Sequence, residues 1–190
     1  MKRALFVVLF LGLCSSEALA DVVEGARKAQ ICLSCHQPQH RLAAMPLLEG
    51  QPAEYLYLQL KAYKDSARTD PTATMLSSAA NLSDLDMREI SAFLAAQTAP
   101  SVAYQVDSAR TSLGQIKASE SGCGNCHLAD RNATSAVPRL AGQAVGYSIA
   151  QLQAFATGKR IHGVGSNAAP AISLNSSDIE DLANYFAQLK

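Results

Sequence analysis

Cys32-Leu33-Ser34-Cys35-His36 and Cys123-Gly124-Asn125-Cys126-His127 are two copies of Cys-x-x-Cys-His, the spacing by which a chain attaches haem covalently. On a helical turn, residues three apart lie side by side. Two thiols so placed can both add to the vinyl groups of one porphyrin, while the adjoining histidine reaches the iron. A single Cys-x-x-Cys would equally suit a redox dithiol or half of a zinc site. Two copies, each completed by histidine, point instead to two covalently attached haem c groups.

The start of the chain sets the compartment. Lys2 and Arg3 precede an almost unbroken apolar run from Ala4 to Leu13, and Ala18-Leu19-Ala20 forms a small-residue cleavage site. This is the pattern of a secretory signal peptide over residues 1–20, with an apolar core too short to span a bilayer comfortably, and an uncleaved anchor is the alternative. A periplasmic mature chain beginning at Asp21 is expected. Cys14 would leave with the leader, and Leu13 before it is too bulky for a lipoprotein signal. All four remaining cysteines belong to the two motifs, so no disulfide is expected.

Removing Lys2, Arg3 and Glu17 from 16 basic and 16 acidic residues leaves 14 and 15. No basic tract suggests nucleic acid, and no second apolar stretch suggests a membrane span. Each half of the chain is short enough to be a marginal folder by itself. A buried haem supplies the missing apolar core, so folding and attachment are expected to be coupled.

The halves are repeats. From Pro46 onward, adding 92 pairs one half with the other without a gap. Pro46 meets Pro138, Gly50 meets Gly142, Gln51 meets Gln143, Tyr55 meets Tyr147, Gln59 meets Gln151 and Arg68 meets Arg160. The haem motifs are 91 apart, so one residue is inserted between Cys126 and Pro138. Two lobes follow, 21–97 and 107–190, joined by 98–106, which holds Pro100 and little that could pack.

Each lobe reads as helical. Val23 to Ser34 leads into the first motif, and Pro52 opens a helix through about Lys64 with Tyr55, Leu56, Gln59, Leu60 and Tyr63 on one side. Ser83 caps a third helix whose Leu85, Ile90, Phe93 and Leu94 form an apolar stripe. The second lobe predicts helices near Ser108–Glu120, Ala144–Thr157 and Asp178–Leu189, the last with Ser177-Asp178-Ile179-Glu180 as its capping box. No stretch alternates with period two, so strands should be minor or absent.

With these residues in place the chain resembles the dihaem class I cytochromes c of the cytochrome c4 type. The resemblance covers nearly all of the mature chain. It rests on the two haem motifs, on Pro46-Leu-Leu-Glu-Gly50-Gln51 and Pro138-Arg-Leu-Ala-Gly142-Gln143, and on the Tyr-x3-Gln-Leu helices after them. It implies an all-α fold of two tandem class I cytochrome c lobes, with haems facing near the lobe interface. It also implies electron shuttling between periplasmic redox partners, whether dehydrogenase, oxidase or reductase. Neither nucleic acid nor a transmembrane span is expected, while peripheral membrane association stays open. In this pattern His36 and His127 are the proximal ligands, and the carbonyls of Pro46 and Pro138 accept their ring protons, fixing tautomer and orientation.

The sixth ligand distinguishes the haems. Met75, in the loop Asp70-Pro-Thr-Ala-Thr-Met75, matches the family's distal methionine, and a thioether stabilises ferrous iron. Met45 and Met87 compete but read as core, and His40 reads as a surface histidine. The second lobe departs from the pattern: Asn167 stands opposite Met75, and no methionine follows Met87. Asn167 would be a weak ligand. His162, five residues upstream between Ile161 and Gly163, is a stronger one by chemistry, and an open or water-bound iron is the third choice. An electron carrier is the first reading of function. A small-molecule-binding or catalytic haem protein using a weakly ligated second iron is the alternative, although the second lobe offers little acid–base chemistry beyond His162, Lys159 and Arg160.

Overall fold

The computed structural model describes residues 16–37, 45–127, 136–163 and 173–190, with side chains from residue 23 onward. The basic start, apolar run and Cys14 of the expected leader, together with His40 and Asn167, lie outside the described residues. In the first lobe α1 spans Ser16–His36, α2 Ala53–Lys64, α3 Thr74–Ala80 and α4 Asp84–Ala96. In the second, α5 spans Ser108–Glu120, α6 Gly124–His127, α7 Val145–Ala156 and α8 Ser176–Gln188. No strand occurs among the described residues.

The first and last helices of each lobe cross at a glycine. A Cβ on Gly25 would collide with the carbonyl oxygen of Glu89 and crowd Phe93, and one on Gly114 would collide with Asp181 and Tyr185. Glu89 and Phe93 are the repeat partners of Asp181 and Tyr185, so the two crossings are equivalent. Ionic contacts brace them. Lys28 bonds Glu89 and lies 2.6 Å from Asp86, while Lys117 lies 3.1 Å from Asp178 and Arg110 3.0 Å from Asp181. Ala29 beside the first crossing and Ala118 beside the second are buried in the two cores.

These equivalences reveal a second insertion that the haem motifs alone do not show. Ala29 stands three residues before Cys32, whereas Ala118 stands five before Cys123. The two extra residues break the second helix. α1 runs unbroken to His36, but α5 ends at Glu120, the chain turns through Ser121 and Gly122, and the haem motif begins its own short helix α6.

The caps repeat as well. Ser83 accepts from the Asp86 amide, and Asp86 bonds back to the Ser83 amide, closing a capping box at α4. At α8 the same box is made by Asn175 and Asp178, not by Ser177 and Glu180 as the sequence suggested. Asn175 is the repeat partner of Ser83, and the cap falls where that register places it. Other readings also change. Leu85 is 60% exposed and leaves the core stripe, and Met87 at 2% takes its place beside Ile90 and Leu94. Met87 is thus core as expected, but Met45 is 37% exposed and is not. The connecting segment does pack: Ala99 lies directly against Gly50. The loop that holds Met75 contains a helix, α3, where only an irregular loop was expected.

Candidate haem sites

His36 ends α1 and is buried, and its Nδ1 lies 2.9 Å from the carbonyl oxygen of Pro46. His127 ends α6, and its Nδ1 lies 2.9 Å from the carbonyl oxygen of Pro138. A carbonyl only accepts, so in both rings Nδ1 carries the proton and Nε2 carries the lone pair. Both rings are therefore held in the tautomer a metal needs. Burial lowers the pKa of His36 and so favours the neutral ring, outweighing the Pro46 bond and the Glu49 charge, which both act to raise it. In each motif the first thiol, Cys32 or Cys123, packs against the lobe's core, and the second, Cys35 or Cys126, is exposed. Burial pushes both inner thiols up.

The surroundings fit haem. Leu48, Leu60 and Leu82 stay only partly buried around the first core, and their repeat partners Leu140, Leu152 and Leu174 do so around the second. That is apolar surface of the kind a porphyrin covers. Arg68 is only 7% exposed, yet among the described residues neither it nor Arg160 pairs with a carboxylate, and Arg68 Nε is buried without a partner. Buried cations of this sort call for anions. Haem propionates are such anions.

The distal sides differ between the lobes. In the first, Asp70 organises the loop: Oδ1 accepts from the Thr72 hydroxyl at 2.7 Å and the Thr74 amide at 3.1 Å, and Oδ2 accepts from the Met75 amide at 3.0 Å. Although partial burial acts to raise the pKa of this carboxyl, these bonds more than offset it and hold it below the usual range. Met75 is thereby fixed, half-buried, in the first turn of α3. In the second lobe the partner of Asp70 is His162. Its ring centre lies 6.0 Å from that of His127 at an interplanar angle of 37°, and its edge meets Phe155 at 5.1 Å. The structure thus brings His162 and His127 together, and Met75 together with Asp70.

Between the lobes lies a seam with internal two-fold symmetry. The Gln143 side chain accepts from the Leu47 amide at 2.8 Å and donates to the Leu47 carbonyl at 3.1 Å. Gln51 does the same to Arg139, accepting at 2.8 Å and donating at 2.8 Å. Arg68 donates to Gln59, Tyr147 and Gln151, and Arg160 donates to Gln151, Gln59 and Tyr55. Each of these contacts recurs with both residues replaced by their repeat partners, as in an isologous interface built within one chain. The repeat register pairs Gln51 with Gln143, Tyr55 with Tyr147, Gln59 with Gln151 and Arg68 with Arg160, but nothing in the local sequence gives them a role at the contact. Their signal was polar side chains kept in both halves beside apolar helix faces.

The cytochrome c family model matches residues 113–190, most of the second lobe. The chain is 31% identical over 212 residues to cytochrome c4 of Azotobacter vinelandii, covering 100% of each. It is 31% identical over 174 residues to the thiosulfate dehydrogenase electron acceptor of Stutzerimonas stutzeri, covering 85% of this chain and 80% of that one. Among solved structures, reduced recombinant cytochrome c4 from Pseudomonas stutzeri superposes with a TM-score of 0.72 at 28% identity, covering 89% of this chain and 98% of that one. The fold and paired motifs are those of tandem class I cytochromes c, and the chain belongs to the cytochrome c4 family. It is a dihaem c-type cytochrome with covalently attached haem c, and it carries electrons rather than acting as an enzyme. Among the described residues no helix is long and apolar enough to cross a membrane.

Proposed function

We propose that the chain is a periplasmic two-centre electron carrier with one thioether-ligated iron and one iron that lacks methionine. The observation that carries this reading is the asymmetry built on a symmetric frame. Both proximal histidines are held identically, yet Asp70 and Met75 become His162 and Asn167 in the second lobe. Cys32 and Cys35 hold the first haem and Cys123 and Cys126 the second, in lobes 21–97 and 107–190 joined by 98–106. Haem iron, cycling between ferrous and ferric states, supplies the redox chemistry. His36 and His127 would ligate the two irons, oriented by their bonds to the Pro46 and Pro138 carbonyls. Met75 would be the second axial ligand candidate in the first lobe, where its sulfur would favour ferrous iron and raise the potential. Asn167 and His162 are the second lobe's candidates for the same place. With no sulfur there, that lobe has the lower potential. The electron therefore rests in the first lobe, and the second relays it.

The partner class follows from kinship. A relative is named as the electron acceptor of thiosulfate dehydrogenase. A periplasmic dehydrogenase acting as electron donor, with an oxidase or reductase downstream, suits a protein with this pair of centres. Export with cleavage after Ala20 fits covalent attachment outside the cytoplasm. Intact mass tests the reading. Protein matured in a periplasm should exceed the chain from Asp21 by two haems, and Cys32→Ala with Cys35→Ala should remove one of them. A wild-type mass carrying fewer than two haems would overturn it.

A further inference from the structure

We infer that His162 is the sixth ligand of the second haem, so that the second lobe is bis-histidine ligated by His127 and His162. This deepens the proposed function and rests on its assignment of His127 as the proximal ligand. Three observations carry it. The first is distance. Two imidazoles on opposite sides of one metal need two metal–nitrogen bonds of about 2 Å plus about 1 Å from each nitrogen to its ring centre, about 6 Å in all. The two rings stand 6.0 Å apart with planes tilted by 37°.

The second observation is an unmet bond. His162 Nδ1 is buried and has no hydrogen-bond partner among the described residues. A ring-on-ring contact also falls in this range of separations. It would, however, leave that nitrogen desolvated and unpaired. A metal bond at Nδ1 would take up that nitrogen's lone pair. The ring is also held in place, because Phe155 packs edge-on against it and Arg160 lies 4.7 Å over the face of Phe155. In the first lobe Tyr63 and Arg68 make the equivalent pair, also at 4.7 Å, so His162 is an addition to a shared scaffold.

The third observation is a paired substitution. Asp70 is the residue that fixes the Met75 amide and the start of α3. Its repeat partner is His162, and the partner of Met75 is Asn167. The second lobe has thus lost both the sulfur and the carboxylate that would position it. In the carboxylate's place it has gained an imidazole that reaches the proximal ring. Gly163, at φ +104, replaces Pro71 and gives the chain the turn that places the ring.

The test uses the full dihaem protein and reads ligation spectroscopically. Electron paramagnetic resonance and near-infrared magnetic circular dichroism of the ferric protein should show two low-spin centres, one histidine–methionine and one bis-histidine. Reduced protein should bind carbon monoxide slowly at both irons. His162→Ala should convert half of the haem to a high-spin ferric form that binds carbon monoxide at least ten times faster when reduced. The thioether band of the other half should stay, and Asn167→Ala should change neither signal. Overturning results are a high-spin or rapidly carbon monoxide-binding half in the wild type, or an Asn167→Ala protein that opens the site. The wild-type spectra decide the matter even if His162→Ala fails to mature. A mass one haem short would overturn the reading of the motifs and this inference together.

Discussion

Gln143→Ala is expected to open the seam between the lobes. Gln143 is 5% exposed and its side chain holds three bonds: to the Leu47 amide at 2.8 Å, to the Leu47 carbonyl at 3.1 Å and to the Ala144 amide at 2.9 Å. Leu47 is 2% exposed, so truncation strands its amide and carbonyl away from water. At about 1 kcal/mol net per bond, with more for each buried group left unpaired, the loss should be about 2–4 kcal/mol. For a chain of this size that lowers Tm by about 4–16 °C. Its counterpart Gln51→Ala strands groups on Arg139, which is only half-buried, and should cost about 1 kcal/mol. Both truncations act on one interface, so the double variant should lose less than the sum. Thermal unfolding followed by circular dichroism measures this, with intact mass showing that both haems remain attached. A change within about 0.5 kcal/mol for Gln143→Ala, the range of ordinary surface substitutions, would refute the seam as an energetic contact.

Three further expectations rest on single residues. Ser66 sits at φ +57 where its repeat partner is Gly158 at φ +70, so Ser66→Gly should relieve left-handed strain and raise stability by about 0.5–1 kcal/mol in denaturant melts. No gain would mean that the turn is not strained. Asp70→Ala removes the carboxylate that holds the Met75 amide, and the intensity of the thioether-to-ferric-iron band should fall, most strongly on warming. An unchanged band would show that the loop holds itself. Burial lifts the Tyr63 hydroxyl from 10.0 to about 12, so the folded state keeps the proton that the unfolded chain sheds. Stability from this group is complete below pH 10 and lost as pH rises through 12, and Tyr63→Phe should flatten that part of the stability–pH curve.

Much of this was legible in the sequence because it is written twice. The haem motifs, the repeat register, the helices around Tyr55 and Tyr147 and the cap at Ser83 all follow from spacing and residue type. The register also places the last cap at Asn175, opposite Ser83, where the local pattern favours Ser177-x-x-Glu180. α3 was missed because Thr74–Ala80 is short and rich in serine and alanine, with no apolar period to betray a helix. Met45 was misjudged because an apolar residue before a proline carries no local sign of exposure. The seam was illegible for a different reason. Gln51 and Gln143 precede helices, where polar residues are ordinary, and only the folded chain shows that each reaches the other lobe's backbone. The meeting of His162 with His127 is equally a matter of tertiary placement, across 35 positions of chain.

The central claim is that one protein holds two haems of which one alone has a sulfur ligand. Near-infrared magnetic circular dichroism of the ferric protein, scaled to haem content, tests it most directly. One thioether band is expected for every two haems, absent altogether in Met75→Ala. Two such bands, or one that survives Met75→Ala, would contradict it.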